Sequence, residues 1–124
     1  MSMMNIETVK EFKYKGFECI IKKISYTEVG LLASESLIGY DLGTRQWWLC
    51  GYIVLPKGHA FNGYGYDDIS DFVEVHEGFT YSENGEYGTW VIGFDCNHAK
   101  DGDAENTEEF VISEIEKAID QMAA

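Results

Sequence analysis

The sequence predicts an α+β domain in which a mostly antiparallel β-sheet is covered by one C-terminal α-helix. Three observations lead to this fold class. Apolar and polar residues alternate along several segments of the first 96 residues, as strands of a half-buried sheet require. Glycine-containing turn dipeptides separate these segments. The last part of the chain shows instead the three-to-four-residue apolar spacing of an amphipathic helix.

The chain is expected to fold as a single domain spanning residues 1–124. Its 124 residues suffice for one core, and hydrophobic residues make up 45% and aromatic residues 15% of the composition, which excludes a disordered chain. No apolar run approaches the roughly 18 residues that a membrane-spanning helix needs. The N-terminus also lacks the pattern of a signal peptide. The sequence therefore predicts a cytoplasmic protein.

Residues 6–26 are predicted to form a β-hairpin that turns at Lys15-Gly16. The apolar residues of the first strand are Val9, Phe12 and Tyr14. Alternation divides those of the second strand between two faces, with Phe17, Cys19 and Ile21 on one face and Ile20 and Ile24 on the other. The pattern of residues 27–43 fits either a short helix or a loop that leads into the next strand.

Residues 46–56 are predicted to form a strand that is apolar on both faces. One face carries Trp47, Leu49, Ile53 and Leu55, and the other carries Trp48, Cys50, Tyr52 and Val54. Such a strand is expected to be central in the sheet or to lie in an oligomer interface. Pro56 ends it, and residues 57–70 are predicted to form a loop rich in glycine and aromatic residues.

Two further strands are predicted at 71–82 and 89–96, with the turn dipeptide Asn84-Gly85 between them. In the first strand, one face is expected to carry Val73, Val75, Phe79 and Tyr81, and the other Phe72, Glu74, His76, Gly78 and Thr80. In the second strand, one face is expected to carry Trp90, Ile92, Phe94 and Cys96, and the other Val91, Gly93 and Asp95.

The helix is predicted to begin after Asn106, which is a favourable N-cap residue. Glu109 follows three residues later, as in a capping box, and the acidic first turn complements the helix dipole. One apolar stripe is expected to face the sheet and consists of Phe110, Val111, Ile115, Ala118, Ile119 and Met122.

Charge is distributed unevenly along the chain. The 22 acidic and 9 basic residues give a net charge of −13. Residues 1–57 carry a net charge of +1 and residues 58–124 a net charge of −14. This balance repels the backbone of long nucleic acids but is compatible with a small anion held by local donors. The three cysteines are widely spaced, so buried thiols are expected rather than disulfides or a zinc site.

Residues 95–98, just ahead of the acidic run that leads into the helix, are of the types best suited to catalysis or metal binding. Alternation places Cys96 and His98 on one face of the strand and Asp95 and Asn97 on the other, so the four do not converge. A metal held by His76, Cys96 and His98 lacks a diagnostic spacing. A hydrolase that uses Cys96 with His98 lacks an oxyanion-hole signature. Both are kept as alternatives to a binding function.

Aromatic side chains concentrate around the glycine-rich loops in the middle of the chain. Aromatic rings can stack a nucleobase, and free backbone N–H groups in such loops can hold phosphates. Arg45, Lys57 and His59 are the nearby cationic residue types. These features predict a surface for a small nucleotide, with burial in the core as the alternative for the aromatic residues.

Three stretches, WWLCGYIVLPKGHAFNGYGYDD, VHEGFTYS and WVIGFDCNHAKDGD, resemble in order and spacing the phage Thoeris anti-defence sponge proteins of the first type. The resemblance covers roughly residues 47–103 and points to a clostridial phage member. It implies that the protein binds the cyclic ADP-ribose isomer (glyco-cyclic ADP-ribose) made by bacterial TIR-domain immune proteins. Such sponges sequester this signal without cleaving it, so that the Thoeris effector is not activated.

The resemblance also implies site residues, partners and an assembly. Adenine is expected to stack on Trp48, Tyr64 and Phe79, and Asp95 and Asn97 to bind ribose hydroxyls. Lys57, His59, Arg45 and backbone amides are expected to hold the pyrophosphate, with His76 and Gly78 in a phosphate cradle. No cofactor, metal or catalytic residue is implied. The family forms homo-oligomers built from dimers, with the signal at the dimer interface, and some members bind cyclic oligonucleotides at separate sites.

One position departs from the family pattern. Relatives typically have His-Gly-Gly where this chain has His76-Glu77-Gly78. A carboxylate there repels an anionic ligand unless it points away, as alternation on a strand predicts for Glu77.

Besides the sponge and the hydrolase, a third hypothesis is that the chain is an acidic inhibitor, which binds a protein by mimicking nucleic acid.

Overall fold

The computed structural model describes residues 2–28, 47–96 and 106–123. Within these ranges the chain forms β1 (Ser2–Tyr14), β2 (Phe17–Glu28), β3 (Trp47–Leu55), α1 (Tyr66–Ser70), β4 (Tyr81–Asn84), a 3₁₀ turn (Glu86–Gly88), β5 (Trp90–Asp95) and α2 (Glu108–Ala123). All strands pair antiparallel, in the order β1-β2-β3-β5-β4. The C-terminal helix packs on this sheet, which confirms the predicted α+β class.

The β1–β2 hairpin turns where the sequence predicts it. Lys15 and Gly16 have φ values of 49° and 86°, as a two-residue turn between right-twisted strands requires. The register shifts by one residue between Thr8 and Lys10, which makes Val9 a bulge. Val9 is three residues from Phe12, a spacing that would put the two on opposite faces of a regular strand. The bulge brings Val9 to the same side as Phe12 and Tyr14, and all three pack against the core.

β3 is a central strand, paired with β2 on one side and β5 on the other. Leu49, Ile53 and Leu55 belong to the core between the sheet and α2. Trp48 and Cys50 are also buried, but they lie on the opposite face. The double apolar pattern thus corresponds to a strand covered on both sides, as expected of a central position.

The core is closed by α2 and by the segment that runs from α1 to Phe79. The predicted apolar stripe of the helix is confirmed, with Val111, Ile115, Ala118 and Ile119 fully buried. Gly51 lets the Phe94 ring and Val111 of α2 lie close to the backbone of β3, because a Cβ on residue 51 would be only 2.8 Å from both the Phe94 ring and Val111 Cγ1. No helix in the described ranges combines the length and apolarity that crossing a bilayer demands.

The start of α2 differs by one residue from the predicted capping box. Thr107 Oγ1 accepts a hydrogen bond from the Phe110 N–H at 3.1 Å, so Thr107 is the N-cap. Asn106 is buried, and its Oδ1 accepts a hydrogen bond from the Leu49 N–H at 2.9 Å. The amide of Asn106 is therefore used to join the helix entry to β3, which leaves the capping role to its neighbour.

The predicted strand at 71–82 is wrong over most of its length, because strand structure begins only at Tyr81. Glu77 and Gly78 have φ values of 55° and 84°, which break the extended chain. Gln121 on α2 binds both the N–H and the C=O of Glu74, at 2.7 Å each, in place of a neighbouring strand. Strand alternation therefore does not set the direction of Glu77, contrary to the prediction, since this residue lies exposed in a turn.

Candidate functional site

The sheet face opposite α2 carries a hollow of about 220 Å³. Its lining comes from β2, β3, β5 and the start of β4, and consists of Ile24, Trp48, Cys50, Tyr52, Thr80, Tyr81, Phe94 and Asp95. The strand register assembles it, because Ile24 pairs with Trp48 and Cys50 pairs with Asp95. Four separate segments of the chain thus meet in one concave surface, which we call the hollow.

A glycine in the middle of β5 shapes the hollow. Gly93 is the cross-strand neighbour of Tyr52 on one side and of Tyr81 on the other. The two tyrosine rings meet edge to face across it, with centroids 5.4 Å apart and an interplanar angle of 85°. A Cβ at Gly93 would lie 2.6 Å from Tyr52 Cδ1. The arrangement of both rings therefore depends on this position having no side chain.

Opposite charges flank the aromatic rings of the hollow. Lys22 lies opposite Cys50 in the β2–β3 ladder, and its Nζ is 5.3 Å from the centroid of the Tyr52 ring. This is a cation–π distance. Asp95 lines the hollow from β5 and is half-buried. The hollow therefore offers an aromatic face, a hydrogen-bond acceptor and a cation within one small region.

The thiol and phenol groups of the hollow stay protonated at neutral pH. Burial, and then the charge of Asp95, raises the pKa of Cys50 to about 12. Burial is also the main cause that raises the pKa of Tyr52. The pKa of Tyr81 is raised chiefly because its hydroxyl donates to the Glu83 carboxylate. Cys50 is consequently a thiol rather than the thiolate that nucleophilic attack needs.

Two of the site residues predicted from the sequence line the hollow, namely Trp48 and Asp95. Arg45 and Asn97 lie outside the described residues. Sequence reasoning did not assign Lys22, Tyr52 or Tyr81 to the site. Alternation already places Tyr52 on the Trp48 face, which was the available signal, but only the strand register brings in the other two.

Lys57, His59 and Tyr64 lie in the loop that follows β3 and do not line the hollow. His59 Nδ1 accepts a hydrogen bond from the Phe61 N–H at 3.0 Å, and the imidazole lies 5.7 Å from the Phe17 ring. Burial lowers the pKa of His59, so the ring is neutral at pH 7. The expectation that His59 supplies positive charge to a pyrophosphate is therefore not supported.

His76, Gly78 and Phe79 occupy a third place, beside α2. Their N–H groups all donate to acceptors within the protein. The His76 N–H donates to Glu114 Oε1 at 2.7 Å. The Gly78 N–H donates to the Val75 carbonyl at 2.9 Å, and the Phe79 N–H to Ser70 Oγ at 3.0 Å. A phosphate cradle needs such donors free, so the predicted cradle is not formed here.

Phe79 is buried in the core, with its ring edge on Phe94 at 6.5 Å. Its ring is therefore enclosed by the protein itself, and the predicted role in stacking adenine is not supported. The position of an aromatic residue beside Gly78 suggested a ligand contact, whereas the alternation of this segment correctly indicated that Phe79 is buried.

The residues of the alternative hydrolase do not form a site in the described structure. Cys96 is fully buried in the core on the α2 side, and His98 lies outside the described residues. Among residues 2–28, 47–96 and 106–123, no three His, Cys, Asp or Glu side chains are grouped as metal ligands. Cys19 and Cys50 are also buried free thiols, as predicted for all three cysteines.

Comparisons of the chain with protein-family models, with curated proteins and with solved structures gave no match.

Proposed function

We propose that the protein is an anti-defence sponge that binds a cyclic ADP-ribose isomer and sequesters it without cleaving it. The proposal rests on the sequence resemblance together with one structural observation, the hollow opposite α2. In this proposal the protein acts in the cytoplasm of an infected bacterial host. The signal made by TIR-domain proteins is held there, so the Thoeris effector is not activated. Cyclic oligonucleotide signals are a second ligand class to test.

The hollow has the chemistry that a nucleoside part of such a ligand needs. The rings of Tyr52 and Tyr81 can stack a purine, and Trp48, only 9% exposed, contributes to the wall of the hollow. Asp95 can accept hydrogen bonds from ribose hydroxyls or from an exocyclic amine. Lys22, beside the Tyr52 ring, can offset the charge of a phosphate. A cyclic ligand is already restricted in conformation, so its binding loses little entropy.

The protonation of the hollow favours holding the ligand over attacking it. The Cys50 thiol, with a pKa of about 12, is not a nucleophile at neutral pH. The raised pKa of Tyr52 leaves its hydroxyl as a hydrogen-bond donor. Both groups therefore stay in their neutral forms beside the bound ligand.

The size of the hollow supports an assembly of more than one copy. Its 220 Å³ is below the roughly 300–1,000 Å³ of sites that enclose a drug-sized ligand. The hollow can take a nucleoside, whereas a cyclic ADP-ribose isomer, with its pyrophosphate and second ribose, extends beyond it. We propose that a second copy covers the rest of the ligand, in a homo-oligomer built from dimers.

Titration calorimetry with a panel of cyclic ADP-ribose isomers and cyclic oligonucleotides tests the proposal. The expected result is tight binding of at least one cyclic ADP-ribose isomer. The bound complex is then freed of excess ligand and heat-denatured, and the supernatant is analysed. Recovery of the intact cyclic ligand supports a sponge. Recovery of linear ADP-ribose would overturn it in favour of a hydrolase.

A further inference from the structure

Three aromatic residues form a second, separate surface at the end of the sheet. The Phe61 ring stacks on Phe72, with centroids 5.8 Å apart and an angle of 28°, and meets Tyr64 edge to face at 5.4 Å. Phe72 is 67% exposed and Tyr64 42% exposed. We call these three residues the aromatic platform. It shares no lining residue with the hollow.

The aromatic platform is held in place by hydrogen bonds of the loop that carries it. The Phe61 N–H donates to His59 Nδ1 at 3.0 Å. The Tyr64 carbonyl accepts a hydrogen bond from Trp90 Nε1 at 2.8 Å, which ties the loop to β5. The Phe72 N–H donates to the Ile69 carbonyl at 2.9 Å at the end of α1. These bonds hold the backbone of the loop, and contact with Phe61 restrains the Phe72 and Tyr64 rings, which lowers the entropy that they lose on binding a partner.

The charged residues that lie closest in sequence to Tyr64 and Phe72 are acidic, whereas Lys57 stands at the start of the same loop. Asp67 and Asp68 lie on α1, and Asp71 immediately precedes Phe72; all three are exposed. No lysine or arginine occurs between Gly58 and Ala99. A field of this sign repels phosphate groups and attracts cations. The platform is therefore unsuited to the anionic ligand proposed for the hollow and suited to a cationic one.

We propose that the aromatic platform binds an arginine-containing segment of a partner protein. A guanidinium group is planar, so it can stack on an exposed ring such as that of Phe72. Its N–H groups can at the same time pair in parallel with a neighbouring carboxylate, for which Asp71 is the nearest in sequence. A lysine ammonium can use the charge but not the stacking. This function is distinct from capture of the nucleotide signal.

The test compares two peptides, (Arg-Gly)₄ and (Lys-Gly)₄, in titrations of the full-length protein followed by ¹H–¹⁵N NMR. We expect shifts concentrated in residues 59–74 and at least fivefold tighter binding of the arginine peptide. Phe72→Ala should weaken that binding about tenfold. The matched control is Ile6→Ala, which removes another exposed apolar side chain, 59% exposed on the distant β1 edge, and should leave binding unchanged.

A charge control separates the platform from the general acidity of the chain. Replacing Asp67, Asp68 and Asp71 with Asn should remove arginine-peptide binding, whereas replacing the exposed Glu7, Glu11 and Glu18 with Gln should not. Equal affinity for the two peptides, or equal loss in the two triple variants, would overturn the proposal. So would a lower molecular mass of Phe72→Ala in light scattering, which would assign the platform to contacts between copies.

The result of the peptide titrations does not depend on whether the protein binds a cyclic ADP-ribose isomer. Phe72→Ala should bind the cyclic ADP-ribose isomers as the unchanged protein does, because Phe72 does not line the hollow. Loss of peptide binding with ligand binding intact supports two separate surfaces. Loss of both would overturn the assignment of separate functions.

Discussion

The hollow and the aromatic platform use the same residue types in different electrical surroundings. The hollow has two tyrosine rings and a tryptophan, with the cation Lys22 and the carboxylate Asp95 beside them. The platform has two phenylalanines and a tyrosine beside three exposed aspartates. Each offers π-faces, which bind nucleobases and guanidinium groups alike. The charge of the neighbours therefore decides which class of ligand each surface can accept.

The two surfaces also differ in how the fold holds them. The hollow is built from side chains on neighbouring strands, so the sheet register fixes its shape. The platform is built from loop residues and is held by hydrogen bonds to His59 and Trp90. Substitutions in the sheet are consequently expected to affect the hollow strongly, and changes in the loop to affect mainly the platform.

The largest effect is expected for Gly93→Ala. The new Cβ would lie 2.6 Å from the Tyr52 ring and 2.9 Å from the Gly51 carbonyl, so Tyr52 must move. We expect loss of cyclic ADP-ribose binding by more than a hundredfold. Overpacking of this kind also lowers the free energy of unfolding by about 1–3 kcal/mol. Calorimetric titration and urea denaturation measure the two effects.

Gly51→Ala is the matched control for the previous variant. Its Cβ would press on Phe94 and Val111 at 2.8 Å, on the α2 side of the sheet. It is therefore expected to lose a similar amount of stability, about 1–3 kcal/mol. Its loss of ligand affinity should be much smaller than that of Gly93→Ala, because the Phe94 ring packs beside Phe79 in the core although Phe94 also borders the hollow. If both glycine variants lost binding in proportion to their loss of stability, the hollow would not be the ligand site.

Tyr81→Ala should weaken ligand binding by about tenfold or more, because it removes one stacking face of the hollow and stacking of a base contributes about 1–3 kcal/mol. Tyr64→Ala removes an equally accessible ring from the platform and should leave this affinity unchanged. In titrations with (Arg-Gly)₄ the order should reverse. A Tyr64→Ala variant that loses nucleotide binding would mean that the two surfaces act as one site.

Much of the fold follows from local patterns in the sequence. The Lys15-Gly16 turn, the doubly apolar β3 and the stripe of α2 each match what alternation or helical spacing predicts. Residues 71–80 do not, because their apolar alternation results from packing beside α2. There, Glu77 and Gly78 turn the chain, and side chains of α2 replace strand neighbours as hydrogen-bond partners. Periodicity records burial and leaves open which backbone produces it.

The site was less predictable than the fold, because cross-strand neighbours depend on register. Trp48 and Asp95 could be assigned from alternation, yet their relation to Lys22 and Tyr81 follows only from the pairing of β2, β3, β5 and β4. Phe79 shows the reverse error, since an aromatic residue beside glycine suggests a ligand contact but is buried in the core. Long-range pairing thus decides which residues are available to a ligand.

A smaller effect is expected for Lys22→Gln, which removes the cation beside Tyr52. A partly exposed ion pair contributes up to about 1 kcal/mol, so ligand affinity should fall about fivefold at low salt. The difference should shrink at high ionic strength because salt screens the charge. Lys117→Gln, on α2 at the opposite face of the sheet, is the control and should bind normally. An unchanged affinity for Lys22→Gln would place the phosphate elsewhere.

The smallest effect is a pH dependence that belongs to the loop of the platform. Burial lowers the pKa of His59 in the folded protein, so the unfolded chain binds the proton more readily. The stability that His59 contributes is therefore present above its unfolded pKa of about 6.5 and is lost as the pH falls below that value. His59→Asn keeps an acceptor for the Phe61 N–H but does not titrate. Between pH 7 and pH 5 the Tm of this variant should consequently fall less than that of the unchanged protein. Equal decreases in Tm would show that neutral His59 does not stabilise the loop. The platform would then not differ from the sheet-built hollow in being held by a histidine.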